Sequence, residues 1–241
     1  MSEKCADFLR NSRGGYGGFG NTNSTVLALR GLLAYAEFMK RTDESGAIAI
    51  LVNDVEVARQ TYEKGAEKIV VKNLEKHLKA GKQKITVKFI DAKTALPTAL
   101  NVNYNCKTPP TNEECVIGLD VKLANKTVKM GETNRLTTTI TNKTKDGQPM
   151  TLAIVGIPAG LSAQPWQLKE LIDKKTIDFY EIIGNNVVFY YRQMKPEEVR
   201  VINLDLKADI PGDYESAAST AYLYYTNELK TWVGGNLVRI E

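Results

Sequence analysis

Three groups of residues have types and spacings that could do chemistry. Gly15, Gly17 and Gly20 spell Gly-x-Gly-x-x-Gly, a pattern that lets a backbone approach a pyrophosphate at the N-terminus of the next helix. His77 is the single histidine, and Cys5, Cys106 and Cys115 are the cysteines. Together these are the material for a general base, a zinc site or a disulfide. Aromatic side chains crowd two stretches, Phe189–Tyr190–Tyr191 and Tyr222, Tyr224, Tyr225 and Trp232. Such a face could stack sugars or fill a core.

Each group works only in the right frame. A dinucleotide loop needs a buried strand before it. Here "MSEKCADFLRNSR" precedes it, with Cys5, Phe8 and Leu9 spaced as one stripe of a short helix. "NTNSTVLALRGLLAYAEFMK" follows, with Val26, Leu29, Leu33 and Ala36 on one helical face, widened by Leu27, Leu32 and Met39. Asn23, Ser24 or Thr25 could cap its start. The glycines therefore read as a turn between two antiparallel helices. His77 lies between Lys76 and Leu78 on a surface helix, with no acid to orient it. No CxxC is present, so no zinc site is expected. Glu113–Glu114 and Glu197–Glu198 read as solvated turns, and Asp120 and Asp205 as water-facing strand positions. Alternation sets Tyr222 and Tyr224 on one face and Leu223 and Tyr225 on the other, and the reading places Tyr222 and Tyr224 inward. No catalytic, cofactor-binding or metal-binding residue is expected.

The 241 residues are 43% hydrophobic and 25% charged, with a net charge of +4, ordinary values for a globular chain. The basic stretch 59–93 alternates lysines with apolar residues, as in "KITVK" (84–88). That suits the water face of a strand, and without interleaved aromatics it gives no nucleic-acid surface. The longest apolar run, "AIAILV" (47–52), is too short to span a bilayer. "MSEKCADFLR" lacks the apolar core of a signal peptide. A chain opening inside a helical hairpin reads as a piece of something longer, with any export signal upstream.

Near "RTDESG" (41–46) the apolar period changes from helical to two. Ile48, Ile50 and Val52, then Val55 and Val57, Ile69 and Val71, Ile85, Val87 and Phe89, and Leu100, Val102 and Tyr104 predict strands. "NCKTPPTNEEC" (105–115) breaks the pattern with consecutive prolines and reads as a linker. A bridge between Cys106 and Cys115 would staple it, and the residues alone leave that pairing open. Beyond it, alternating runs at 117–123, 136–140, 150–154, 177–183, 186–192, 198–208, 216–227 and 236–241 predict strands, with one helix opened by Pro165. The expected fold is mainly β: an antiparallel β-sandwich with one helix, preceded by a small partial β unit and an N-terminal α-hairpin. The expected divisions are 1–42, 43–107, the linker 108–115, and 116–241.

The order of segments resembles the C-terminal region of alpha-macroglobulins, in the bacterial style. "GGFGNTNSTVLALRGLLAY" (17–35) is similar to the last helical stretch of that family's thioester domain. "VNDVEV" (52–57) and "LKAGKQKITV" (78–87) are similar to part of its CUB-like domain. "AIVGIPAG" (153–160), "QLKELIDKKTIDFYEI" (167–182) and "DIPGDYESAASTAYLYYTNELKTW" (209–232) resemble its receptor-binding-type macroglobulin domain. The resemblance implies a non-catalytic part of a broad-spectrum protease trap, working with other domains of a parent molecule in the periplasm, at the cell surface or outside the cell. Proteases would be met only through the parent. The family's "CxEQ" thioester is absent: Cys5 is followed by Ala-Asp-Phe and Cys106 by Lys-Thr-Pro. Eukaryotic members carry a lysine pair four apart for receptor uptake. Here Lys169 has Asp173 and Lys174 has Glu170 at that spacing, so receptor binding is not transferred. The alternatives are a free-standing carbohydrate- or protein-binding sandwich, and a nucleotide-dependent enzyme built on Gly15, Gly17 and Gly20.

Overall fold

The computed structural model describes residues 2–14, 17–39, 44–66, 68–79, 81–92, 96 and 98–241. It divides into two compact units, 1–12 with 19–103, and 13–18 with 104–241.

The first unit begins with α1 (Ser2–Asn11) and α2 (Thr22–Met39). The cap of α2 is Asn21, upstream of the expected residues: its Oδ1 accepts the Ser24 N–H at 2.8 Å. The expected inward stripe is also on the wrong side, since Ala28 is buried while Val26, Leu29 and Leu33 are exposed. α2 is apolar around most of its circumference, so periodicity could not choose which stripe turns inward. A three-stranded antiparallel sheet follows, ordered β2-β1-β3, from β1 (Gly46–Val52), β2 (Val55–Tyr62) and β3 (Ile85–Ile90). Asn53 and Asp54 turn β1 into β2 with φ of 49° and 67°, the left-handed pair that suits a two-residue hairpin. The Asn53 side chain accepts the Lys84 N–H at 3.0 Å and donates to Gln83 Oε1 at 2.8 Å, tying the hairpin tip to the start of β3. Ile48, Ile50 and Tyr62 form the core, with Val57, Ile85, Val87 and Phe89 around them. Two expected strands are not strands. Ile69 and Val71 pack on that core as irregular chain, and the segment holding Leu100, Val102 and Tyr104 runs exposed. Alternation marks a strand only where a neighbour supplies the hydrogen bonds, and no strand pairs with either segment.

The second unit is the expected sandwich. One sheet is ordered β4-β6-β11-β8, from β4 (Ile117–Leu123), β6 (Thr133–Asn142), β11 (Val199–Ala208) and β8 (Leu161–Ser162). The other is ordered β14-β13-β7-β10-β9, from β14 (Lys230–Val233), β13 (Ser219–Leu223), β7 (Thr151–Gly156), β10 (Asn186–Tyr191) and β9 (Phe179–Ile183). A small third sheet joins β12 (Gly212–Glu215), β15 (Leu237–Ile240) and β5 (Thr127–Val128), the last two in parallel. One hydrophobic cluster fills the space between the large sheets, with Ile117, Leu136, Ile140, Ile202, Leu204 and Leu206 from one side. Ala153, Val155, Val187, Phe189, Ala221 and Leu223 face them from the other. α3 (Pro165–Asp173) has Pro in its first turn and lays Leu168 into this core. Gly160, in "GIPAG", lies where a Cβ would overlap the Tyr214 ring.

Sheet edges are guarded unequally. Along β14, Thr111 Oγ1 accepts the Trp232 N–H at 2.9 Å and Asn112 N–H reaches Lys230 O at 2.9 Å, so the linker covers that edge. On β11, the Gln167 amide takes the place of a strand. Its Nε2 donates to Asp205 O at 2.9 Å and its Oε1 accepts the Asp205 N–H at 2.8 Å. Among the described residues β9 pairs with β10 alone.

Candidate docking face of the five-stranded sheet

Because β residues alternate between faces, one face of this sheet supplies the core and the other must be accounted for. Register places Phe179, Tyr190, Leu152, Tyr222 and Lys230 directly across from one another, one from each strand. Neighbouring members are about 4.8 Å apart by sheet geometry. The next row is Glu181, Val188, Ile154, Thr220 and Trp232. Both rows point away from the core formed by Val187, Phe189, Ala153, Val155, Ala221 and Leu223. Leu152, Val188 and Thr220 are nonetheless buried, Ile154, Tyr190, Tyr222, Lys230 and Trp232 are half-buried, and Phe179 and Glu181 are exposed.

Local contacts hold the rings in place. Phe179 and Tyr190 have centroids 5.7 Å apart at 49°. The Lys230 ammonium stands 4.6 Å from the Tyr222 ring centroid. Tyr190 Oη donates to Glu181 Oε2 at 3.1 Å. Tyr224 and Tyr225 follow β13 in a one-turn 3₁₀ segment, edge to face at 5.1 Å. Burial pushes the Tyr190 phenol above its ordinary value, and the Glu181 bond adds to this. Burial, then proximity to Tyr224, does the same to Tyr222. At neutral pH these phenols stay protonated, so they offer area and hydrogen bonds, not nucleophiles.

Tyr222 was expected to face inward; it faces outward, with Leu223 buried in its stead. The same shift of phase occurs in β7, where Ala153 and Val155 line the core and Leu152 and Ile154 turn out. Both faces of these strands are apolar, so alternation carried no sign. Phe179 is the contributor that sequence reasoning passed over; its only signal was its place in a hairpin with Tyr190.

The other candidates do not converge. Gly15 lies outside the described residues. Gly17 and Gly20 have φ of 74° and 89°, and the donors beside them are taken. Gly14 N–H bonds Gly18 O at 2.8 Å, Gly17 N–H bonds Gly14 O at 2.8 Å, and Phe19 N–H bonds Thr25 Oγ1 at 2.9 Å. Within the second unit, Arg13 Nη2 donates to Tyr225 O at 2.8 Å and Nη1 pairs with Glu228 at 2.9 Å. His77 is exposed at the end of a 3₁₀ turn. Cys5, Cys106 and Cys115 are free; Cys115 is buried with Sγ 3.4 Å from Ile117 O, and Cys106 is exposed. Glu113, Glu114 and Glu197 are exposed. Glu198 is no solvated turn residue: half-buried, it accepts the Lys195 N–H at 2.7 Å and pairs with Arg200 at 2.8 Å. Asp205 is half-buried and meets Arg135 through two bonds of 2.7 and 3.0 Å, which hold its carboxyl below the usual range. Asp120 pairs with Lys122, and Lys174 with Glu170. Among the described residues no cluster of His, Cys, Asp and Glu could hold a metal, and no helix is long and apolar enough to cross a membrane.

Comparison with known proteins gives one family and several solved structures. Residues 147–233 match the A-macroglobulin receptor binding domain. A Salmonella alpha-2-macroglobulin mutant is 12% identical over 93% of this chain and 15% of its own, with a TM-score of 0.49. A native Escherichia coli alpha-2-macroglobulin piece reaching the C-terminus is 11% identical over 100% of this chain and 41% of its own, TM-score 0.49. Trypsin-activated alpha-2-macroglobulin from Escherichia coli is 11% identical over 94% and 16%, TM-score 0.46. This chain thus spans well under half the length of those structures. No curated protein matches it. The outward rows on β7, β10, β9, β13 and β14 lie inside the matched segment, and residues 147–233 are similar to the A-macroglobulin receptor binding domain.

Proposed function

We propose that this chain is a non-catalytic C-terminal portion of an alpha-macroglobulin-like protease trap, and that its sandwich docks through the outer face of the five-stranded sheet. The single observation that carries the reading is that face, set within the matched segment. Phe179, Tyr190, Leu152, Tyr222 and Lys230 form one mainly aromatic row across all five strands, exposed at Phe179, half-buried at Tyr190, Tyr222 and Lys230, and buried at Leu152. Exposed aromatic side chains on a sheet face mark interaction surfaces. The role is mechanical: the sandwich rests on other domains of the parent and shifts when a protease cuts elsewhere. In this reading, 1–42 is the end of an α/α thioester domain, 43–107 part of a CUB-like unit, 108–115 a linker and 116–241 the receptor-binding-type domain. The compartment is periplasmic, cell-surface or extracellular. A bridge between Cys106 and Cys115, both free here, is tested by intact mass as the loss of two thiol hydrogens.

The test uses the longer protein in which these residues occur. Trypsin treatment should leave the protease bound yet active on a small chromogenic substrate, and hydrogen exchange across 179–190 and 220–232 should change on cleavage. Tyr222→Glu with Phe179→Glu should abolish that change. Free, fully active trypsin after mixing, with no change in exchange, would end the reading. The free-standing sugar-binding alternative is favoured only by the same tyrosines; glycan-array binding lost in Tyr224→Ala at unchanged Tm would select it.

A further inference from the structure

Two other strand edges of the sandwich have covers, and among the described residues β9 has none. β14 is capped by Thr111 and Asn112, and β11 by the Gln167 amide. β9 carries Phe179, Ile182 and Ile183 with 52%, 54% and 58% of their surface exposed. It has no lysine, proline or bulge, and its only edge protection is the single carboxylate of Glu181 at its centre. Gly184 and Asn185 join it to β10 as a two-residue turn, with Gly184 at φ 57° and Ile183 opposite Asn186. In such a hairpin the residues flanking the turn are hydrogen-bonded, and bonding alternates from there. The backbone groups of Phe179, Glu181 and Ile183 therefore serve β10, and those of Tyr180 and Ile182 aim at the free edge.

The geometry points to β9 as a strand-addition site that captures an extended segment of a separate polypeptide, apolar on both faces and carrying a lysine or arginine opposite Glu181. Backbone bonds to Tyr180 and Ile182 supply the affinity, and alternate side chains supply the choice. Glu181 is the one charge on the strand, which sets the sign of the partner. It also disfavours a second copy. An in-register antiparallel β9 pair sets Glu181 against Glu181, and any shifted register shortens an already short ladder. The site lies on the edge and works in the isolated chain, so its failure leaves the docking reading of the sheet face untouched.

The test is fluorescence anisotropy of the full chain with a labelled peptide, Thr-Ile-Val-Lys-Val-Ile-Thr, against the same peptide with Glu replacing Lys. The Lys peptide is expected to bind saturably and about threefold tighter than the Glu peptide. Glu181→Lys should reverse that order, and Ile182→Pro, which removes one outward N–H at an edge position, should lose binding without changing Tm. Equal binding of both peptides that ignores Glu181→Lys overturns the proposal, as does no binding at all. A dimer in sedimentation velocity that Ile182→Pro dissolves also overturns it, by making a second copy the occupant. If Ile182→Pro fails to fold, the charge reversal at Glu181 decides alone.

Discussion

Tyr191 shows how a single residue can be placed for area and not for polarity. Its ring is 1% exposed in the core, and its hydroxyl is buried with no hydrogen-bond partner among the described residues. Burial holds the phenol well above its ordinary value, with the Arg200 charge, 6.0 Å from the ring, opposing. A phenol whose folded pKa is raised adds stability that is complete below the unfolded value near 10 and drains away as pH rises through it. Tyr191→Phe is therefore expected to leave neutral stability equal or higher, by up to about 1 kcal/mol, since an unpartnered hydroxyl is deleted. It should also move the alkaline unfolding midpoint upward. Urea melts at pH 7 and above pH 10 check both; a loss of several kcal/mol at pH 7 would mean that the hydroxyl is bonded. Asp205 runs the other way: Arg135 lowers its pKa, so its contribution is present above the usual carboxylate range and fades on acidification. Because that pair is largely solvent-exposed, water and salt screen the effect.

At the scale of elements, α3 does two jobs. Leu168 anchors it in the core, and Gln167 completes the hydrogen bonding of β11 at Asp205. Gln167→Ala leaves a part-buried backbone N–H and C=O without partners and should cost about 1–3 kcal/mol, measured as a lower urea midpoint with an unchanged slope. Gln167→Glu can restore the acceptor and not the donor, so it should fall between. α2 contrasts with α3. Its exposed Val26, Leu29 and Leu33 contribute little in this chain, and Leu33→Lys should leave stability within about 0.5 kcal/mol.

For the whole molecule, the first unit has a small core and a three-stranded sheet in which β2 and β3 are both edges. The second has one large cluster between two sheets. Association of the full chain should therefore come from the first unit. Sizing chromatography at rising concentration should show the full chain eluting early or broadly while residues 104–241, which keep the Thr111 and Asn112 cover of β14, stay monodisperse, and Leu33→Lys should sharpen the full-chain peak. Identical profiles for both would place the exposed apolar surface elsewhere.

Much of this was legible in the residues. Helix and strand existence through most of 117–240, the Gly184 turn, the Pro165 helix start and the absence of a nucleotide frame before the glycines all follow from local preference and short-range pattern. Which face of a strand turns inward did not. Tyr222, Leu152 and the stripe of α2 sit in elements apolar on both sides, where the period is visible and its phase is not. Ile69, Val71, Leu100 and Val102 alternate as strands do, yet pairing requires a neighbour that sequence order does not name. Glu198 meeting Arg200, Gln167 closing the β11 edge, and β9 left open are matters of which segments arrive beside one another. The sequence by itself determined the elements, because turn chemistry and apolar spacing act over a few residues. Only the tertiary structure decided faces and edges, because burial and hydrogen-bond pairing are settled between segments far apart in the chain.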